Sequence, residues 1–184
     1  MNAAIKLVTR EDAYALLQCM GATSHLLRHL QLVGEAADEL IALFGSLGVG
    51  CDVQSIELGA ALHDAGKIVH PNEPSRPGHQ HEQAGEHMLL AHGGPAQLAR
   101  HCVSHAAWDA PAVCFEELAV VLADALWKGV RIEALELRVI DAVAAQLGVD
   151  RWEVFTGMDD GFERIASRGS ERLAKSRDLL LSRL

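Results

Sequence analysis

The chain has 184 residues, 49% of them apolar and only 4% aromatic, with a formal net charge of −9. That length fits one domain, or one domain with a helical tail, and the core must be built from Leu, Ala, Val and Ile, a composition that favours helix over sheet. The acidic balance argues against non-specific binding to a nucleic-acid backbone, which needs a basic stripe, but not against a small phosphate ester.

In chain order, Thr9 is an N-cap with Glu11 and Asp12 in the first turn, and Gly21 is the stop of this first helix. The next helix is expected from about Ser24 to Leu47, with Leu26, Leu30, Val33, Ala37, Leu40, Ile41 and Phe44 at helical spacing and Gly48 after it. A third starts near Asp52, carries Ile56, Leu58, Ala60, Ala61 and Leu62, and ends around His63-Asp64, before Gly66. Lys67 to Gln80 holds Pro71, Pro74, Pro77 and Gly78 and reads as a loop directly after that pair, of a size that is commonly functional.

Helix resumes at about His81 to His92, stopped by Gly93-Gly94, and Pro95 is placed as the first residue of a helix running to about His105. Trp108 to Cys114 is a connector, Phe115 to Lys128 is helical, and Ile132 to Leu147 is helical with Gly148 after it. Asp150 caps a further segment, and an amphipathic tail rich in Arg, Lys and Glu follows from about Gly161. The tail reads as a solvated face whose leucines pack on the domain or on a second subunit, which leaves a homodimer open. Met1 to Arg10 lacks a secretory apolar run, and no stretch approaches eighteen uncharged apolar residues. Cys19, Cys51, Cys102 and Cys114 form no C-x-x-C pair. A reduced cytoplasmic protein follows, with no membrane partner and with the cysteines as small core residues.

Ten histidines are many for this length. The sharpest local feature is Ala60-Ala61-Leu62-His63-Asp64-Ala65-Gly66-Lys67, an apolar helix that ends in an imidazole, a carboxylate, a glycine and an ammonium. Charged groups at the end of a buried helix are costly unless paired, and a divalent cation pairs with them. Neutral imidazole with ionised carboxylate suits Mn, Fe, Co, Ni or Zn, and Mg where oxygen ligands dominate.

These residues resemble the HD-domain superfamily of metal-dependent phosphohydrolases. His29, four residues before Val33, matches the family's early His; His63-Asp64 with Gly66-Lys67 matches the dyad that ends a later helix. His81, in a His-x-x-x-Gly step to Gly85, and His105 match its two further histidines, and Asp124, among Val121, Leu122, Ala125 and Leu126, matches the distant Asp. A second histidine stands near three of these positions: His25, His79 and His101. Val33, the helix start after Gly78, and the helix end favour His29, His81 and His105 respectively.

The resemblance covers about Ser24 to Val130 and implies an all-α, HD-domain-like helical bundle with the site between helices. The whole chain is then one HD-type domain, with a core over about 24–130 and a C-terminal helical extension over about 131–184. It implies that His29, His63, Asp64 and Asp124 hold one divalent metal, and that His81 and His105 hold a second with Asp64 bridging. It also implies hydrolysis of a phosphate ester of a nucleotide or related small metabolite by metal-activated water. Asp64 and Lys67 would be catalytic, and Lys67, Arg76 and Lys128 would contact the substrate phosphate. Members that cleave cyclic dinucleotides carry Gly-Tyr-Pro shortly after the last His; here Ala106-Ala107-Trp108-Asp109 follows His105, which sets that subgroup aside. The alternatives are a di-iron oxygenase of the same fold and a catalytically silent metal- or nucleotide-binding protein.

Overall fold

The computed structural model describes residues 6–71 and 80–181, the last six by their backbone only. Among these, helices and turns account for all regular structure. The order is α1 Arg10–Cys19, α2 Ser24–Ser46, α3 Val53–Leu62, a 3-10 turn Ala65–Ile68, α4 Gln80–Ala91, α5 Ala96–Ala99, α6 His101–Ser104, α7 Phe115–Leu126, α8 Glu133–Leu147, α9 Arg151–Ser167 and α10 Gly169–Leu181. The all-α expectation is correct.

Local chemistry explains most boundaries. Thr9 caps α1 in a reciprocal box with Asp12, and Asp150 does the same for α9 with Glu153. Asp52 accepts from Ser55 N and starts α3. Gly148 closes α8 in the left-handed region, at φ 68°, where a Cβ would be strained.

Three boundaries differ from the sequence reading. The single helix expected from Pro95 to His105 is two short ones, α5 and α6, with Pro95 as the N-cap rather than the first helical residue. Its ψ of 135° is extended, so the helix begins one residue later. The loop expected from Lys67 begins instead as the 3-10 turn that contains Lys67. The tail expected from Gly161 is not a separate segment, because α9 runs through Gly161 to Ser167. A Cβ there would lie 2.4 Å from Leu43 Cδ2, so the glycine lets α9 close on α2.

Two apolar clusters build the core. One joins α2, α3, α7, α8 and α9 around Leu40, Phe44, Ile56, Leu122, Leu126, Val139 and Phe162. The other joins α1, the first turns of α2, α3, α4 and α5 around Leu17, Leu30, Leu58, Leu62 and Leu89. Each fully buried Leu, Ile or Phe contributes roughly 1.5–3 kcal/mol. Helices α2 and α3 serve both clusters, and the ends that carry His29 and His63 lie where the two meet.

The tail is not simply a solvated face. Arg172 is only 1% exposed; it donates to the Ile165 carbonyl and to Glu39 of α2, and Arg168 joins it on the same carboxylate at 3.0 Å. The cysteines are free; Cys102 is buried and Cys51 packs half-buried against the larger cluster, whereas Cys19 and Cys114 are exposed, so the expectation of core cysteines fails for those two. No described helix is long and apolar enough to cross a membrane.

The closest backbone approach joins the 3-10 turn to α4. A Cβ on Gly66 would fall 1.7 Å from the His81 carbonyl oxygen, and one on Gly85 would fall 2.8 Å from Gly66 N. Gly66→Ala should therefore destabilise the fold by about 3 kcal/mol, since the obstacle is backbone and cannot rotate away. Urea denaturation checks this; a midpoint equal to that of the wild type would contradict the packing.

Candidate metal centre

Five helices and one connector deliver the six side chains that the sequence singled out. His29 projects from α2, His63 caps the C-terminus of α3, and Asp64 stands between α3 and the 3-10 turn with φ −103° and ψ 18°. That departure from helical geometry stops α3 and turns the Asp64 carboxylate inward. His81 comes from the first turn of α4, His105 caps α6, and Asp124 sits in the last turn of α7.

Asp64 is the hub. Its Oδ2 accepts from His29 Nε2 at 2.8 Å and lies 3.5 Å from His63 Nε2. Its Oδ1 lies 3.5 Å from His81 Nε2 and 3.7 Å from His105 Nε2. Asp124 Oδ1 closes the far side, 3.7 Å from His29 Nε2 and 3.8 Å from His63 Nε2. The rings pack edge to face, with centroids 5.7 Å apart for His29 and His63 and 5.3 Å for His63 and His105. Two sets of three donors, His29-His63-Asp64 and Asp64-His81-His105, each have their atoms within 4.8 Å of one another.

This donor set fits divalent cations. Ligand atoms placed tetrahedrally about 2.1 Å from an ion stand about 3.4 Å apart, close to most of these spacings. The His63 Nδ1–H donates to the Ala60 carbonyl at 3.0 Å, which leaves the Nε2 lone pair facing the two carboxylates. That nitrogen is buried and has no hydrogen-bond partner. A buried acceptor without a donor is costly, and a cation satisfies it.

The electrostatics agree. Burial opposes ionisation of Asp64, but His63, the hydrogen bonds from His29 and His81, and Lys67 hold its pKa well below the usual carboxylate range. Asp124 is shifted the same way, against its own burial, by the nearby charges of His63, Lys128 and His29. Burial also works against the protonated form of His63, yet the Asp64 and Asp124 carboxylates prevail and raise its pKa. His105 goes the other way, since burial and then His63 favour its neutral form.

Two lysines flank the centre. Lys67 Nζ lies 2.5 Å from Asp64 Oδ2, and Lys128 Nζ lies 3.3 Å from Asp124 Oδ2. Arg76, like His79, lies outside the described residues. Of the other competing histidines, His25 is exposed on α2, and His101 is buried outside both donor sets. The sequence reading did not single out Trp127, whose Nε1 donates to Asp124 Oδ1 at 3.1 Å. Its spacing of three residues from Asp124 on α7 was the available signal.

Residues 23–146 match the family model of the HD domain. The chain belongs to the HD-domain family. HD domains bind divalent metals, and their superfamily consists mostly of hydrolases. No curated protein and no solved structure matches this HD-domain chain.

His101 occupies a different place in the HD fold, lining a cleft of about 340 Å³ with Asp52, Ser55, Arg100 and Glu117. Its ring lies against Gly59, where a Cβ would be 2.6 Å from Cε1. Burial pushes its pKa down to about 4, against the opposing charge of Glu117. An unfolded chain takes up this proton below about pH 6.5, and the folded protein does so only near pH 4, so stability falls as pH drops through that window. Between pH 7 and pH 5 this residue should account for a loss of about 2 kcal/mol. Chemical denaturation at both pH values should show a smaller difference for His101→Gln than for the wild type; equal differences would refute the assignment.

Proposed function

We propose that this chain is a metal-dependent phosphohydrolase that cleaves a phosphate ester of a nucleotide or related small metabolite. The supporting observation is the pair of donor sets that share Asp64, one oxygen facing each set. His29, His63, Asp64 and Asp124 hold one divalent ion in this reading. His81 and His105 hold a second, with Asp64 between them. Bound divalent ions supply positive charge for phosphoryl oxygens and make water acidic enough to provide a nucleophile near neutral pH.

The chain's own groups do the rest. The Ala60 carbonyl holds the Nδ1–H of His63, so Nε2 is the nitrogen turned toward the ion. Ionised Asp64 and Asp124 compensate the cations, and the burial of His105 keeps a neutral imidazole available. Lys67 carries three N–H donors, so it can keep its bond to Asp64 and still donate to a non-bridging phosphoryl oxygen or to the departing one. Lys128, exposed at the rim, offers the same service from the Asp124 side. The acidic surface favours a small phosphate ester over a nucleic-acid polymer.

Elemental analysis of protein purified without chelators, together with a panel of phosphomonoesters and phosphodiesters, tests the reading. Asp64→Asn should lose most of its metal and its phosphate release while keeping its helical circular dichroism. Lys67→Ala should keep its metal and lose about a hundredfold in turnover, the scale of one charge-stabilising donor. Full metal content in Asp64→Asn would overturn the ligand assignment, and iron-dependent oxygen uptake in place of phosphate release would overturn the reaction.

A further inference from the structure

Trp127 touches two of the six candidate ligands and belongs to neither donor set. It is only 7% exposed and is part of the large apolar cluster. Its indole Nε1–H donates to Asp124 Oδ1, the oxygen that faces His29 and His63. Its ring meets the His29 imidazole edge to face, with centroids 5.1 Å apart and planes at 63°.

Both contacts remove a freedom that the ligands would otherwise keep. The terminal torsion of an aspartate is broad and roughly two-fold, so α7 by itself does not decide how the Asp124 carboxylate is turned. A buried indole N–H requires an acceptor, and this one has Asp124 Oδ1 within reach, three residues back on its own helix. A carboxylate oxygen has a second lone pair, which stays directed at the histidines. Lys128 bonds the other oxygen, but its stem is flexible and its side chain 39% exposed. The rigid, buried member of the pair is Trp127. On its other face the same ring limits the tilt of His29.

We propose that Trp127 is a positioning residue of this centre: its N–H sets the Asp124 carboxylate and its ring sets the His29 imidazole, so that both present one lone pair to the same cation. The inference rests on the metal-binding reading given above. It concerns the His29-His63-Asp64-Asp124 side, which both contacts reach.

Trp127→Phe tests it, since phenylalanine keeps a ring against His29 and removes only the donor. In calorimetric titrations of the full chain with Mn²⁺, one of two binding steps should weaken about tenfold, the scale of an outer-sphere hydrogen bond. The other step and the urea midpoint should stay with those of the wild type. Unchanged affinity at both steps overturns the proposal, and so does a loss at both steps that follows a loss of stability. If the Phe variant does not fold, a protein carrying Trp108→Phe and Trp152→Phe leaves Trp127 as its sole indole. Co²⁺ should then quench its fluorescence with the midpoint of a calorimetric step, and absence of quenching overturns the proposal. A wild-type chain that binds no divalent cation fails at the earlier reading and takes this one with it, whereas a wild type that binds metal beside an indifferent Phe variant removes Trp127 alone.

Discussion

The arrangement of the centre depends on a contact without side chains. Gly66, in the 3-10 turn, lies so close to the start of α4 that a methyl group there would sit inside bonding distance of the His81 carbonyl oxygen. Gly85, one turn further along α4, returns the approach against Gly66 N. The two glycines fix the distance between the turn that follows Asp64 and the helix that carries His81. With any larger residue at Gly66, α4 would stand further off, and the Asp64 carboxylate would face a gap where His81 now sits.

Charge balance accounts for the rest. Two ionised carboxylates at the junction of two apolar clusters would be costly if left alone. Here Lys67 and Lys128 each bond the oxygen of one carboxylate, and the imidazoles surround the remainder. The ligand-bearing protein is thus close to neutral at this point without an ion, and adding cations makes it a strongly positive pocket within an acidic molecule. This is how a chain with a net charge of −9 can present an attractive field to an anion.

Much of this was legible in the sequence. The helix starts at Thr9, Asp52 and Asp150 followed from side-chain oxygen caps, which are local signals, and the stops before Gly48 and Gly148 followed from glycine's access to positive φ. The six side chains that converge on the centre were the six that the ordered His and Asp pattern indicated; His25 and His101 stand one turn from His29 and His105, so the spacing to Val33 and the helix end, rather than the helix face, separated them. What escaped were features set by tertiary contact. The continuity of α9 through Gly161 depends on Leu43 across the interface, and the burial of Arg172 depends on Glu39, more than a hundred residues earlier. The break at Arg100 between α5 and α6 has no composition signal that we can identify. Trp127 was passed over because a tryptophan in an apolar helix reads as core, and it is core as well.

The Arg172–Glu39 bond joins the last described helix to the helix that carries His29. A guanidinium with 1% exposure cannot be removed quietly: without it, the carbonyl of Ile165 loses that donor and the Glu39 carboxylate on α2 is left with the more exposed Arg168. Shortening the chain ahead of that arginine would therefore loosen α2 from behind, ten residues along from its histidine. The terminal helix acts as a brace for the helix that carries His29, so trimmed versions of this protein will report on bracing as much as on the candidate metal centre.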